Sequence, residues 1–321
     1  MSVGVLDAVG LVSGGLGIIS FFQNLLPNAQ APQGTSVNIK VGIHKIGDDI
    51  TNLGGKITAV YGFNTFNEFI GQSSSHDVAE GDSVTFTIDQ SSPGEQATFV
   101  GVSNADDATC ISWITVEQRD NTPGGAWTGD IGSECGQRWH NGNQKAGKLK
   151  DSDENYVPRC TWIDSDFTDG TNSAAFKFRT SAYGEKVLDT VANSNQCGST
   201  LWGRDDGPIA VEACEPAKRS MPDRPQWIID RLITSDIPSQ PARELCQSST
   251  SWGPDFVGSD GYFCDMDAKE LLPLCSTENV NGCIEYDETQ KTVTKRSIVA
   301  RREVKSVHKA YKTLTHNSNS S

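Results

Sequence analysis

Alternation of apolar and polar side chains is the clearest pattern in residues 36–116. Five runs have the β-branched and aromatic content of half-buried strands, at Ser36–Ile43, Lys56–Phe63, Ser83–Ile88, Ala97–Val102 and Thr109–Val116. Clusters of glycine, asparagine and aspartate separate the runs, as is typical of turns. Five short strands in about 80 residues predict an antiparallel β-sandwich or jelly roll and disfavour alternating β and α units.

Cysteine and tryptophan recur through the segment that follows, between residues 108 and 178. They are Cys110, Trp113, Trp127, Cys135, Trp139, Cys160 and Trp162. Strand-like runs continue at Cys160–Asp164 and Ser173–Phe178, whereas residues 121–150 have the glycine-rich, polar composition of a long loop or hairpin. We therefore predict a disulfide-stapled β-domain over residues 36–183, with indole rings packed near the sulfurs.

Residues 184–284 have a different character, with short turns, many prolines and six cysteines. Two short helices are predicted here. Pro241–Gln247 begins with a proline in the first turn, and Met266–Leu272 has acidic residues at its start. We predict an irregular domain held by disulfides.

The last segment, residues 285–321, is basic. Residues 291–312 contain eight lysines and arginines against the single acid Glu303. The net charge of the chain is −14, so about +7 on this segment leaves about −21 on the rest. Charge of opposite sign is therefore segregated along the chain.

Apolar residues in this basic segment fall at spacings of four and three. Ala300, Val304, Val307, Tyr311 and Leu314 would share one stripe of a helix, so we predict a helix over 291–314. An apolar stripe on so short a helix needs a partner, and we expect an acidic surface of a second copy to supply it. A solvated basic tail and proteolytic removal at dibasic pairs are the alternatives.

Residues 1–35 open with an apolar, glycine-containing run between Val5 and Leu26. A secretory signal would have a basic front end, but the early charged side chain is Asp7. A transmembrane helix would be more continuously apolar. We favour an apolar helix packed on the protein body or on a neighbouring subunit over a signal peptide, and both over membrane contact through residues 5–26.

The nine cysteines have wide, irregular spacings without a Cys-x-x-Cys pair, which disfavours zinc and iron–sulfur sites. We predict at least three disulfides and an oxidising compartment, the alternative being buried free thiols. Cys110, Cys135 and Cys160 would staple the β-domain, and the other six would mostly pair among themselves. The candidates for pairing are Cys110, Cys135, Cys160, Cys197, Cys214, Cys246, Cys264, Cys275 and Cys283.

Motifs that carry chemistry are absent from the sequence. It contains no nucleophile elbow, phosphate-binding loop or zinc-protease helix motif, and its five histidines are scattered, with His140 the one in the stapled loop. An acid pair for hydrolysis could be drawn from Asp130, Glu134, Asp164 and Asp166, but sequence cannot separate their pKa values. The acidic composition, with a pI near 4.8, disfavours nucleic acid binding. We expect no enzymatic activity and no cofactor.

The acidic run from Asp164 to Gly170 is the sharpest candidate for a metal site. Asp164, Asp166 and Asp169 precede a turn glycine, as acids do in calcium loops. The spacing departs from the EF-hand pattern, and the closing glutamate is missing. A plain hairpin turn is the favoured interpretation over a weak calcium site.

Several local patterns occur in order through residues 36–180. They are Ala97-Thr98-Phe99, the run Ser103–Ile111, the run Ala126–Asp130 with Cys135 after it, and the run Cys160–Asp164. Together they resemble a family of fungal development-specific proteins that are abundant in sclerotia and spores. The resemblance implies a storage or structural protein without an active site.

The sequence thus predicts a non-enzymatic structural or storage protein of a fungal resting or developmental stage, one that assembles with itself. The secretory pathway, a protein body or the extracellular space is favoured over the cytosol. The alternative is a secreted glycan- or cell-wall-binding module, in which Trp127, Trp139 and Trp162 would present exposed rings. Burial of those indoles would remove that binding platform.

Overall fold

The computed structural model describes residues 34–45, 52–92, 94–120, 122–149, 152–210, 224–299 and 302–318. It divides into two compact units, residues 1–220 and 221–321, which we call the first and second unit. The predictions for residues 1–31 and for Cys214 lie outside the described residues.

The first unit is built almost entirely of strands. They are β1 Ser36–Val41, β2 Gly55–Phe63, β3 Phe69–Gln72, β4 His76–Val78, β5 Ser83–Thr87, β6 Asp89–Gln90, β7 Phe99–Asn104, β8 Thr109–Glu117, β9 Pro123–Thr128, β10 Trp139–His140, β11 Gly147–Lys148, β12 Asn155–Tyr156, β13 Cys160–Ile163, β14 Ala175–Arg179 and β15 Thr200–Gly203. Among the described residues of this unit, the helices are α1 Gly129–Glu134, α2 Val187–Ala192 and the 3₁₀ turns Thr168–Gly170 and Thr180–Tyr183. Each of the seven strands predicted in residues 36–178 is confirmed, with small shifts of its ends.

Two antiparallel sheets of the first unit share one apolar core. The first has the order β10-β13-β8-β1-β5, with β9 also on β8, and the second has the order β15-β14-β7-β2-β3-β6, with β4 also on β2. Val37, Ile39 and Val41 of β1 point into the core while their neighbours are more exposed, as the alternation predicts. The core takes residues from both sheets, which is the arrangement of a β-sandwich.

The second unit combines short helices with two small sheets. Its elements are α3 Gln226–Ile229, β16 Arg231–Ser235, α4 Ala242–Gln247, β17 Asp255–Val257, β18 Tyr262–Asp265, β19 Glu270–Pro273, β20 Ile284–Asp287, β21 Thr292–Val299, β22 Arg302–Ala310 and β23 Thr313–Asn317. One sheet has the order β19-β18-β17-β16-β23 and the other the order β20-β21-β22. Strand β16 runs parallel to both β17 and β23, so this sheet is mixed.

The prediction of a helix over residues 291–314 is wrong, because this segment forms β21, β22 and β23. Its helical spacing spans separate elements: Tyr311 follows the end of β22, and Leu314 lies in β23. The segment is rich in valine, threonine and isoleucine, which favour strands. The helix predicted over Met266–Leu272 is also wrong, since β19 covers its second half, whereas the one near Pro241 is confirmed as α4.

Four disulfides staple the described residues, and the predicted disulfide character is confirmed. They are Cys110–Cys160, Cys135–Cys197, Cys246–Cys264 and Cys275–Cys283. The pair Cys135–Cys197 crosses the boundary predicted at residue 183, and β15 adds a further strand beyond it by pairing with β14. The first unit therefore continues past that boundary, and the basic segment belongs to the second unit through β23.

Candidate functional site

The three tryptophans considered for glycan binding are buried. Trp127 is fully buried and stacks on Phe176 with ring centroids 4.5 Å apart. Trp162 lies beside Cys110 across the β8–β13 pair, and Trp139 lies under the guanidinium of Arg159. The expectation that these rings form an exposed platform is wrong, because the rings fill the interior of the first unit.

Asp130, one of the acids from which a hydrolytic pair could be drawn, is part of a buried ionic cluster. Asp130 in α1 is buried, accepts a hydrogen bond from the Tyr156 hydroxyl at 2.6 Å and pairs with the Arg159 guanidinium at 3.2 Å. Burial raises the pKa of Asp130, and Arg159 and Tyr156 oppose that rise. His140, the histidine singled out in the stapled loop, is also buried. These groups hold the loop in place.

The acidic run after β13 forms a turn. The Asp164 carboxylate accepts hydrogen bonds from the backbone N–H and the hydroxyl of Thr168, and Asp169 lies 3.9 Å from the Arg138 guanidinium. Burial raises the pKa of Asp164, and the neighbouring Asp166 adds to this rise. Within the described ranges no group of three or more His, Cys, Asp or Glu side chains is placed to hold a metal ion. The structure thus does not bring the three aspartates together as a calcium site.

The residues predicted for assembly separate into two sets. Tyr311 is buried and Leu314 packs against the core of the second unit, so neither can meet a second copy. Val304 and Val307, in β22, are 48 % and 65 % exposed. Among the described strands β22 pairs with β21 alone, which leaves its other edge open. Exposed apolar side chains and an unpaired edge together make β22 the candidate interaction surface.

Most of the basic charge near β22 is paired inside the second unit. Lys309 lies at the centre, with its ammonium 2.9 Å from an oxygen of Asp255 and 2.6 Å from one of Asp265. The Tyr311 hydroxyl donates to Asp255 at 2.8 Å, and the Arg224 guanidinium reaches the other oxygen of Asp255 at 3.1 Å. We call these five residues the Lys309 network. The sequence predicts these lysines as charge for a partner, but the acids that pair with them belong to the same unit.

Within the Lys309 network, the pKa values of Asp265, Lys309 and Tyr311 are shifted. Burial alone would raise the pKa of Asp265, but hydrogen bonds from Lys309 and from the Ala268 N–H outweigh burial and leave it lowered. The pKa of Lys309 is raised although burial opposes its charge, since Asp255 and Asp265 stabilise the ammonium. Burial and the Asp255 charge raise the pKa of Tyr311. The network is therefore charged and closed near pH 7.

Lys269 is a second lysine whose ammonium is partly buried and hydrogen-bonded within the second unit. Its ammonium lies 2.6 Å from the Ser251 carbonyl and also contacts the Ser251 hydroxyl. Burial, with the nearby Arg224 charge, lowers the pKa of Lys269 to about 8. The Ser251 hydroxyl is buried and donates to the Leu245 carbonyl, so the pair ties α4 to the turn before β19.

No helix in the described part of the chain is long and apolar enough to cross a membrane. The four disulfides indicate an oxidising, secretory or extracellular setting. Neither a model of a known protein family nor a curated protein sequence matches the chain.

Proposed function

We propose that this chain is a non-enzymatic structural or storage protein of a fungal resting or developmental stage, which self-associates through β22. The observation that carries the proposal is the outer edge of β22, nine residues long, with which no described strand pairs, together with the exposure of Val304 and Val307. An open strand edge offers unpaired N–H and C=O groups to another chain. A protein that remained monomeric at high concentration would be expected to cover such an edge.

A second copy is the occupant we propose, because the edge of β22 can pair with the same edge of another copy. The segment around β22 carries about +7 and the rest of the chain about −21, but Lys305 and Lys309 are already paired with acids of their own unit, so this segregation of charge adds only a weak attraction between copies. This attraction is screened over about 8–10 Å at physiological salt. Assembly should therefore weaken as salt is added.

Support for a non-enzymatic role comes from the use that the fold makes of its buried charges. Asp130 is paired with Arg159 and Tyr156, and Asp255 and Asp265 are paired with Lys309. In each cluster, ion pairs and hydrogen bonds stabilise the buried acids. Storage in a protein body or secretion to the extracellular space fits the disulfide content.

The test is sedimentation of the purified chain at low and high salt. We expect oligomers that are lost in Val304→Lys/Val307→Lys, because a lysine ammonium buried in the contact would lose its water and replace an apolar contact. The matched control is Val280→Lys, at a loop valine that is 44 % exposed, and it should assemble as the unchanged protein does. Substitution is preferable to deletion, since removing the basic segment would also remove Tyr311 and β23 from the core.

Two results would contradict the proposal. One is a monomer at low salt and high concentration. The other is an abundance, followed by proteomics through development, that is unrelated to resting stages.

A further inference from the structure

Three parallel strands of the second unit end at the same edge of its mixed sheet. β17 and β23 both run parallel to β16, so the carboxyl ends of all three meet there. Ligands commonly bind in the crevice outside the carboxyl ends of parallel strands. In this unit that edge opens into a cleft of about 270 Å³.

The cleft has a floor of backbone and a wall that carries the hydroxyls of Ser276 and Thr277. Thr234 and Ser235 come from the end of β16 with their hydroxyls hydrogen-bonded to His316 and Gln240, and Val257 and Ser259 come from the end of β17 and the turn after it. Gly261 lies in this turn with φ +74°, and a Cβ atom there would lie 2.2 Å from the Thr277 hydroxyl oxygen. Glycine thus lets the Thr277 wall approach the sheet and gives the cleft its width.

The cleft also carries one carboxylate and one aromatic ring. Asp236, with a side chain 68 % exposed, lies 3.2 Å from the His316 Nε2 atom, which orients its carboxylate. Tyr286 in β20 is half-buried and packs against the core of the unit. Burial raises the pKa of Tyr286, and the charges of Glu288 and Asp236 raise it further, so the phenol is neutral near pH 7.

These groups select the chemistry of a ligand. The negative charges of Asp236 and Glu288 repel phosphate and other anions. A single carboxylate among hydroxyls is too few ligands for a divalent cation. A sugar ring fits both sets of groups, because its hydroxyls can donate to a carboxylate and exchange hydrogen bonds with serine and threonine, while its C–H groups pack on an aromatic ring.

We propose that this cleft binds a single pyranose ring, either as a soluble sugar or at the end of a glycan. The volume is slightly below the range of about 300–1,000 Å³ typical of pockets for larger ligands, so one ring is the appropriate size. The proposal does not depend on assembly through β22. It places sugar binding in the second unit and does not involve the tryptophans of the first.

The experiment is a titration of the full chain with glucose, mannose, N-acetylglucosamine and the methyl glycoside of each. Binding is measured by calorimetry and by ligand-observed NMR. We expect saturable binding of at least one sugar with a millimolar dissociation constant. Binding of the free sugars alone assigns the cleft to a soluble sugar, and binding of the methyl glycosides assigns it to the end of a glycan.

Two variants locate the binding. Asp236→Asn keeps an acceptor for His316 but removes the charge, and it should weaken binding at least tenfold. Ser276→Trp, at an exposed position of the cleft wall, should abolish binding by filling the space. The matched control Asp153→Asn, at a fully exposed acid of the first unit, should bind as the unchanged chain does. Saturable binding of none of the sugars, binding that survives both cleft variants, or saturable binding of inorganic phosphate would overturn the proposal.

Discussion

The two units of this chain reach a folded state by different means. The first buries one large apolar core between two sheets, with Trp127, Phe176 and Phe178 at its centre. The second has a much smaller apolar core, and it places the Lys309 network beside that core. A domain of about 100 residues buries a smaller fraction of its surface than one of about 200, so it gains less from the hydrophobic effect. Paired charges and short disulfide loops supplement the core of the second unit.

The disulfides of the two units close loops of different length. Those of the first unit join residues 50 and 62 positions apart, and those of the second join residues 18 and 8 positions apart. Loop-closure entropy predicts about 4 kcal/mol for each long loop, about 3 kcal/mol for the loop of the pair Cys246–Cys264 and about 2.5 kcal/mol for the shortest. Because the first unit has the larger core, its free energy of unfolding should be most sensitive to lost packing, and that of the second unit to lost charge pairing.

Removal of the central indole tests the first half of that comparison. Trp127→Ala should lower the free energy of unfolding of the first unit by about 4 kcal/mol, because it leaves a cavity between Phe176 and Phe178. Urea unfolding followed by tyrosine and tryptophan fluorescence measures the loss. Phe66→Ala, at a ring that is 78 % exposed, is the control and should change stability by less than about 0.5 kcal/mol. A loss below about 1 kcal/mol for Trp127→Ala would contradict the prediction.

Removal of the central ammonium tests the second half. Lys309→Met should destabilise the second unit by about 3 kcal/mol at pH 7, because the buried Asp265 would lose its ammonium partner and the buried Asp255 would keep Arg224 alone of its two cations. The surface pair of Lys305 with Glu285 is the control, and Lys305→Met should cost less than about 1 kcal/mol.

The destabilisation caused by Lys309→Met should depend on pH, in a direction set by the pKa of Asp265. In the unchanged protein the pKa of Asp265 is lowered, so its stabilisation is present above the unfolded value of 3.8 and is lost as pH falls through the folded value. Without Lys309 that pKa should rise, and the penalty should then shrink on acidification as the buried carboxylates take up protons. Urea unfolding at pH 7 and near pH 4 checks this. A penalty independent of pH would indicate lost packing and not lost charge pairing.

Disulfide removal should give the smallest difference in lost stability between the two units. Replacing both Cys110 and Cys160 by alanine should cost about 1.5 kcal/mol more than replacing both Cys275 and Cys283, since the first pair closes the longer loop. Thermal unfolding of the two double variants, each read on the signal of its own unit, measures the difference. Equal losses would mean that loop length does not govern how these disulfides stabilise the chain.

The local patterns that determine a strand are largely visible in the sequence. Val37, Ile39 and Val41 alternate with polar neighbours, and β1 forms where that alternation predicts it. The alternation works because one face of an antiparallel sheet meets the core while the other meets a polar environment. Proline at the start of α4 likewise marked a helix from sequence alone.

Which distant segments pair with one another, as strands or as ion pairs, depends on the tertiary structure. The spacing of Val304, Val307, Tyr311 and Leu314 fits a helix, yet two strands divide these residues, because β16 offers β23 a parallel edge and the acids around Asp255 lie ready to receive Lys309. The partner of Lys309 is 54 residues away along the chain, and local periodicity carries no information on such a pairing. Sequence determined the strand content, the cysteines and the segregation of charge. Which acid meets which lysine, which tryptophan is buried and where a cleft opens depend on long-range packing, which only the folded chain specifies.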